Sequence, residues 1–221
     1  MPWTWNTASH RYHNTTTGRF MGRDEVLGYV QQSLDAARTA PAITLADGTL
    51  TAGTDLLANL VSNGMLSPRD WHEQMRAEIK SEVIRQYMLG RGGRAQMTAK
   101  DWGSCGGIIA DQFRYLKDFA KLVADGKLSE AQIRARAAMY VNSAREGFER
   151  GQARANADAK DVIWVLGPVK TEHCADCMAF ADMGWRLVAD DPYQGAIPGS
   201  GHTECLTNCA CHLEYGYGEG L

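Results

Sequence analysis

Five of the six cysteines lie between residues 174 and 211 of this 221-residue chain. Cys174 and Cys177 form a Cys-x-x-Cys turn, and Cys205, Cys209 and Cys211 follow after an interval without cysteine. A Cys-x-x-Cys turn can direct two thiolates at one metal ion, and a second cluster can complete the tetrahedral ligand set that Zn²⁺ prefers. The pattern therefore predicts a Zn²⁺ centre with ligands drawn from these five cysteines.

The sequence leaves open which residues supply the two ligands beyond the Cys-x-x-Cys pair. Cys174 and Cys177 are the firm pair, and the three later cysteines compete with His202 for two places. We rank His202 and His212 below the cysteines as ligands. A full set of four protein ligands leaves no coordination position for water, so we expect a structural centre and not a catalytic one.

Disulfides and free buried thiols are the alternatives to a metal. Residues 178–202 are too short and polar a segment to build a core of their own, whereas zinc can supply on the order of 10 kcal/mol of folding free energy. The first residues, Met1–Asn6, have neither the basic nor the apolar region of a secretion signal. Clustered cysteines without such a signal favour metal over disulfide and folding in a reducing cytosol.

Other chemistry is sparse in the sequence. Neither a Gly-x-Ser-x-Gly turn nor a phosphate-binding glycine loop is present, and Asp190 and Asp191 fall in a proline-containing loop. His72 is expected at the surface of a helix, and Cys105 is expected to be a small buried apolar side chain. We therefore predict no catalytic residues, no bound organic cofactor and no enzymatic activity.

Charge and hydropathy exclude two further classes. The net charge of −3 argues against a dedicated nucleic-acid binder, which should be clearly basic. An arginine-rich stretch could contact phosphates, but we expect a solvated face because Glu146 and Glu149 dilute it; its arginines are Arg134, Arg136, Arg145, Arg150 and Arg154. No apolar run approaches the ~18 residues of a membrane span, so we expect no membrane contact.

Apolar periodicity predicts a helical body. Helices are expected from residue 24 to before Pro41 and over 54–62, 68–89, 99–124 and 130–157, the last as one rod of about 40 Å. Three of them begin with capping boxes, at Ser67–Asp70, Thr98–Asp101 and Ser129–Gln132. Strands are expected near 162–166, 185–188 and 211–215, with a short helix over 178–183.

These elements give a mainly α fold in three parts. Residues 1–23 form an extended N-terminal arm, 24–160 a multi-helix body, and 161–221 a small zinc-stapled module that contains β-strands. The arm is expected to order against a neighbouring subunit. Strands packed on the protein's own body are an equally good interpretation of residues 1–23.

Two stretches resemble a known family. The first is Arg11-Tyr12 followed by Gly18-Arg19-Phe20, and the second is the cysteine-rich tail, with His173-Cys174-x-x-Cys177 and later Cys209-x-Cys211. The first resembles the opening of minor structural proteins encoded in tailed-phage genomes, and the second resembles the C-terminal region of phage minor head morphogenesis proteins of the Mu F-like and SPP1 type. The usual ending of that family is closer to His-Pro-x-Cys-Arg-Cys; here Cys205 is an added cysteine and Ala210 replaces the common arginine.

The resemblance implies a minor capsid protein of the virion, located near the portal and made in the host cytoplasm. Its partners would be portal, major capsid or connector proteins, or further copies of this chain, and it would act in head assembly and in DNA packaging or ejection. A neck, connector or capsid-lining protein is the alternative within the virion. A zinc-dependent nucleic-acid-binding module is the alternative outside it.

Overall fold

The computed structural model describes residues 3–6, 8–9, 11–39, 52–168 and 172–218. This part of the chain is mainly helical, as predicted, and it also contains two small antiparallel sheets of three strands each. Two compact units can be distinguished, one from residues 1–79 and 111–138 and the other from 80–110 and 139–221. This division does not follow the predicted bounds at residues 23 and 160, because long helices continue from one unit into the other.

The helices of the described residues are α1 (Arg23–Thr39), α2 (Ala52–Ser62), α3 (Pro68–Gly90), α4 (Ala99–Ala124), α5 (Glu130–Ser143), α6 (Arg145–Ala155) and α7 (Ala175–Asp182). The strands are β1 (Trp3–Asn6), β2 (Arg11–Asn14), β3 (Phe20–Met21), β4 (Asp161–Val165), β5 (Arg186–Leu187) and β6 (His212–Gly216). The predicted helix before Pro41 is confirmed as far as Thr39, and its end at the proline lies outside the described residues.

An antiparallel sheet occupies the segment for which an arm was predicted. Strand β2 lies between β1 and β3, and Tyr12 pairs with Trp5 on one side and Met21 on the other. The turn after β2 is closed by Asn14, whose side-chain oxygen accepts the backbone N–H groups of Thr16 and Thr17 at 2.9 and 2.8 Å. The described residues between Trp3 and Met21 therefore do not form an extended arm.

Tyr12 joins this sheet to the start of α3. Its hydroxyl donates to Asp70 at 2.9 Å and accepts the backbone N–H of Ser67 at 2.9 Å. Arg23 donates to the same carboxylate at 2.7 Å. Burial of the phenol and the negative charge of Asp70 raise the pKa of Tyr12 to about 12, so the hydroxyl remains a donor. The interpretation as strands packed on the protein's own body matches these contacts.

At all three predicted capping boxes the Ser or Thr hydroxyl accepts the backbone N–H of the third following residue, and two of the boxes are reciprocal. At the start of α5, the Ser129 N–H donates to the Gln132 side chain at 2.9 Å and the Gln132 N–H donates back to the Ser129 hydroxyl at 3.3 Å. Thr98 and Asp101 make the same reciprocal pair at the start of α4. At the start of α3, the hydroxyl of Tyr12 takes the place of the carboxylate as acceptor for the first N–H.

The predicted apolar stripes form the core of the first unit. Trp71 of α3 meets Phe119 of α4 edge to face, with ring centroids 5.2 Å apart. The fully buried side chains of this unit include Leu57, Leu60, Leu66, Met75, Ile79 and Leu116. Their burial against one another confirms the helical periodicity read from the sequence.

The predicted rod over residues 130–157 is wrong, because the helix breaks at Ala144. The hydroxyl of Ser143 bonds back to the carbonyl of Tyr140 at 2.7 Å, and the Ala144 N–H reaches the carbonyl of Val141 at 3.0 Å. Hydrogen bonds to the third preceding residue tighten the chain and end α5, and a serine that bonds backwards favours such a bend. Helix α6 begins at the next residue, Arg145.

Within the second unit, α6 packs on the last turns of α3 through glycines. A Cβ at Gly151 would lie 2.5 Å from the carbonyl oxygen of Tyr87 and 3.0 Å from the N–H nitrogen of Arg91. A Cβ at Gly147 would lie 3.0 Å from the carbonyl oxygen of Val83. Two glycines one turn apart therefore let the two helix backbones touch, a role that the sequence analysis did not assign to them.

The second unit carries the other sheet, in which β4 lies between β5 and β6. Trp164 of β4 packs on Phe180 of α7 and on Tyr193, with ring centroids 4.9 and 5.4 Å away. The strands and the short helix of the predicted β module are thereby confirmed within a residue or a turn of their predicted bounds. In the described part of the chain, no helix combines the length and apolar character needed to cross a bilayer.

Substituting Gly151→Ala should destabilise the second unit. The new methyl group would meet backbone atoms that cannot swing aside, and overpacking of this kind costs about 1–3 kcal/mol, more than the ~1 kcal/mol that alanine gains in helix propensity. The matched control is Gly103→Ala on α4, where nothing lies within 4 Å of the added Cβ and stability should hold or rise. Urea unfolding measures both; equal stability of the two variants would contradict the close packing of α6.

Replacing Tyr12 by phenylalanine removes one hydroxyl and leaves the ring. A buried N–H of Ser67 and a buried carboxylate of Asp70 then each lose a partner, which should cost about 1–3 kcal/mol of unfolding free energy. Tyr115→Phe, at a tyrosine that is 57% exposed, is the control and should change stability little. Thermal unfolding that is unchanged in Tyr12→Phe would restore the interpretation as an arm outside the folded body.

Candidate metal centre

The structure brings the five predicted cysteines together in the second unit. The sulfur of Cys177 lies 3.7 Å from that of Cys205 and 3.6 Å from that of Cys209. Two thiolates on one tetrahedral Zn²⁺, each about 2.3 Å from the ion, are about 3.8 Å apart. A disulfide would need a separation of about 2.05 Å. The sulfurs are therefore spaced as ligands of a metal ion, and all of them belong to free cysteines.

These sulfurs form two groups of three. Cys174, Cys177 and Cys205 make one group, and Cys177, Cys209 and Cys211 make the other, with the sulfurs of each group within 4.8 Å of one another. Cys177 belongs to both. We call these groups the outer triad and the inner triad, because only the inner one consists entirely of buried residues. Either triad could hold a metal ion.

The histidines ranked as weaker candidates lie outside both triads. His202 bonds to the hydroxyl of Ser200 at 3.0 Å, and His212 bonds to the carboxylate of Glu214 at 3.2 Å. His173 was not considered as a ligand, yet its Nδ1 lies 3.8 Å from the sulfur of Cys211. Its position immediately before Cys174 was the available signal for it.

Helix α7 positions the Cys-x-x-Cys pair. Cys174 is the residue that precedes the helix, with extended backbone angles, and Cys177 lies in the first turn. Burial acts to raise the pKa of the Cys174 thiol, but hydrogen bonds from the backbone N–H groups of Cys177 and Cys205 and from their thiols outweigh it and lower that pKa. The free N–H groups at the start of a helix favour a thiolate in the same way.

The inner triad concentrates negative charge on Cys211. The thiol of Cys209 donates to the Cys211 sulfur and, with the N–H of Gly167, lowers the pKa of Cys211 to about 4 despite its burial. The same bond raises the pKa of Cys209, and burial raises the pKa of Cys177. Metal ligands must be deprotonated, so a cation bound by these sulfurs would take the place of their protons.

A reciprocal pair of hydrogen bonds ties the Cys-x-x-Cys turn to the loop that carries Cys205. The N–H of Ala175 donates to the Glu204 carboxylate at 3.1 Å, and the N–H of Glu204 donates to the Asp176 carboxylate at 2.8 Å. The hydroxyl of Thr203 lies 3.2 Å from the Cys205 sulfur. These contacts bring the two parts of the outer triad together through protein groups alone.

Side chains of helix α6 hold the chain around Cys211 of the inner triad. Arg145 donates to the backbone carbonyls of Cys209 and Ala210 at 3.3 and 3.0 Å. One turn later, the carboxylate of Glu149 accepts the N–H of Leu213 at 3.1 Å. Gly167 lies against the same segment, where a Cβ would collide with the carbonyl oxygen of Ala210. The chain on both sides of Cys211 is therefore held by side chains of α6.

The prediction of a solvated face on the arginine-rich stretch is wrong for Arg145 and Glu149. Glu149 is 1% exposed, and Arg145 points at backbone carbonyls. The other arginines of the stretch are offset by acidic partners: Arg134 pairs with Glu130 at 2.6 Å, Arg150 with Glu146 at 2.7 Å and Arg154 with Asp101 at 3.7 Å, while Arg136 stacks over Phe119. Helical spacing alone could not separate the buried members from the solvated ones.

Other candidate residues have structural positions. Cys105 is buried and belongs to neither triad, which confirms its prediction as a small apolar side chain, and burial raises its pKa to about 11. His72 is only partly exposed on α3, and burial lowers its pKa. Asp190 and Asp191 are exposed.

Comparison with known proteins gives no relative. No family model, no curated protein and no solved structure matches this chain. The chemistry of the site therefore rests on the positions of its own residues.

Glu149 should make stability depend on pH. Burial raises its pKa from 4.5 to about 7, so the favourable neutral form is fully present below pH 4.5 and is lost as the pH rises through about 7. Glutamine keeps the acceptor for Leu213 and cannot ionise. The unfolding free energy of Glu149→Gln minus that of the native protein should therefore grow by on the order of 2 kcal/mol as the pH rises from 5.5 to 8.

Urea unfolding at several pH values measures this gain. Glu25→Gln on α1, at a carboxylate that is 48% exposed, is the matched control and should show no comparable trend. A constant difference between Glu149→Gln and the native protein across this range would show that the carboxyl is not buried in its neutral form.

Proposed function

We propose that this chain is a structural protein of the bacteriophage head, near the portal, whose cysteine-rich module is folded around Zn²⁺. The observation that carries the metal assignment is the spacing of the Cys177 sulfur from Cys205 and Cys209, at 3.7 and 3.6 Å. The motifs Arg11-Tyr12, Gly18-Arg19-Phe20 and the cysteine pattern of the tail support the role in the virion through their resemblance to minor head proteins.

A structural role for the ion follows from the donor set. The grouped donors of both triads are cysteine thiols, and Cys177, Cys209 and Cys211 of the inner triad are at most 4% exposed, which leaves little access for a substrate. Zinc bound only by protein thiolates acts as a cross-link and contributes folding free energy. Here the cross-link would join the start of α7, the loop that carries Cys205 and the segment before β6.

The charge of the chain and the contacts of its arginines suit assembly with other proteins better than binding to DNA. The arginines of α5 and α6 have carboxylate, carbonyl or aromatic partners, and the chain carries a net charge of −3. Phosphate binding needs uncompensated positive charge. The partners in this proposal are therefore portal, capsid or connector proteins, with a low number of copies in each particle.

Removal of the Cys177 thiol, which both triads share, tests the metal assignment through zinc content and the role in the virion through incorporation into particles. Cys177→Ser takes a ligand from both triads, so the purified protein should lose zinc, and hydrogen exchange should speed up in β4, α7 and β6 while α2 and α3 stay protected. In particles purified from the encoding phage, native protein should be present at low copy number. The variant should be incorporated several-fold less.

Cys105→Ala is the matched control, because it removes a buried thiol that belongs to neither triad and should leave zinc and incorporation unchanged. Full zinc content in Cys177→Ser would refute the metal assignment. Purified particles that contain none of the native protein would refute the role in the virion, whatever the metal result.

A further inference from the structure

The arrangement of the five sulfurs differs from that of a centre with one ion. In a tetrahedral centre with four thiolates, every pair of sulfurs is about 3.8 Å apart. Among the described residues, no four sulfurs lie within 4.8 Å of one another; the groups that do are the outer and the inner triad. Both contain Cys177, whose sulfur is nearly equidistant from Cys205 in one triad and Cys209 in the other, at 3.7 and 3.6 Å.

We infer that the cluster binds two thiophilic d¹⁰ ions, such as Zn²⁺ or Cd²⁺, with the sulfur of Cys177 as a bridge between them. This inference rests on the metal centre proposed above and doubles its occupancy. One ion takes the three thiolates of the outer triad, and the other takes those of the inner triad. Thiol protons are released to solvent as the ions bind, and no oxidation or reduction takes place.

The charge of the cluster permits a second ion. A single divalent ion on one triad carries a net charge of about −1 with its three thiolates and leaves two thiols without a metal. Two divalent ions with five thiolates also carry about −1, because four positive charges oppose five negative ones. Burial of a net charge is costly, and the inner triad is almost fully buried, with Cys177 and Cys211 each 1% exposed. A second ion therefore uses all five thiols without adding net charge to this environment.

The fourth coordination position can be filled at each ion. His173 Nδ1 lies 3.8 Å from the sulfur of Cys211, and an imidazole nitrogen and a thiolate on one tetrahedral zinc are about 3.5 Å apart. His173 is thus placed to complete the inner ion with a small adjustment. Cys174 and Cys205 are partly exposed, so water can complete the outer ion.

Native mass spectrometry of the full-length protein counts the ions. Reduced protein is loaded with Cd²⁺, freed of excess ion by gel filtration and weighed before and after acidification. Two ions per chain are expected. One ion per chain would overturn the bridged pair and leave the proposed single metal centre standing, whereas a metal-free chain would overturn both.

Variants assign each ion to its triad. Cys174→Ser and Cys211→Ser should each retain one Cd²⁺, Cys177→Ser should retain none, and Cys105→Ala should retain two. Two ions in Cys211→Ser, or fewer than two in Cys105→Ala, would overturn the assignment. The count on the native chain does not depend on how well any variant folds.

Cadmium-113 NMR of the native chain supplies an independent readout. Two thiolate-bound resonances are expected, with a scalar coupling between them that passes through the bridging sulfur of Cys177. Two uncoupled resonances would show separate sites and overturn the bridge. The resonance of the inner ion is the one that disappears in Cys211→Ser, and in His173→Ala only this resonance should move. A shift of the outer ion's resonance alone would show that His173 binds the outer ion and would overturn that part of the inference.

Discussion

The second unit is built around a cluster of cysteines that lie in its core. Cys177, Cys209 and Cys211 lie in the same core as Trp164 and Tyr193, where an isolated thiolate would be expensive. The aromatic core beside them is small, and a module of this size gains much of its folding free energy from a bound metal when it has one. A metal bound by the cysteine cluster would therefore stabilise the packing of β4, β6 and α7.

The supporting contacts of the cluster extend into helix α6. Arg145 and Glu149 of α6 hold the chain before and after Cys211. Gly147 and Gly151 bring the backbone of α6 into contact with the last turns of α3. Helix α6 therefore contacts both the cysteine cluster and α3.

A single local motif is used twice as an anchor. In the first unit, the carboxylate of Asp70 at the start of α3 binds Tyr12 and Arg23. In the second unit, the carboxylate of Asp101 at the start of α4 binds Tyr87 and Arg91 at 3.1 and 3.2 Å. In each unit the carboxylate at a helix start therefore binds a tyrosine and an arginine from outside that helix, so that helix initiation and tertiary packing stabilise one another.

Local chemistry in the sequence was enough to predict most helices, all three capping boxes and the cysteines that cluster. Side chains at fixed spacing on one helix or one turn meet whatever the rest of the chain does. Tertiary structure alone decided three other features: the contact of Tyr12 with Ser67 and Asp70, the burial of Glu149, and the division of five sulfurs into two triads about Cys177. Each of these joins residues far apart in the chain, and the free energy that selects such contacts comes from burial and charge that appear only when the fold is complete.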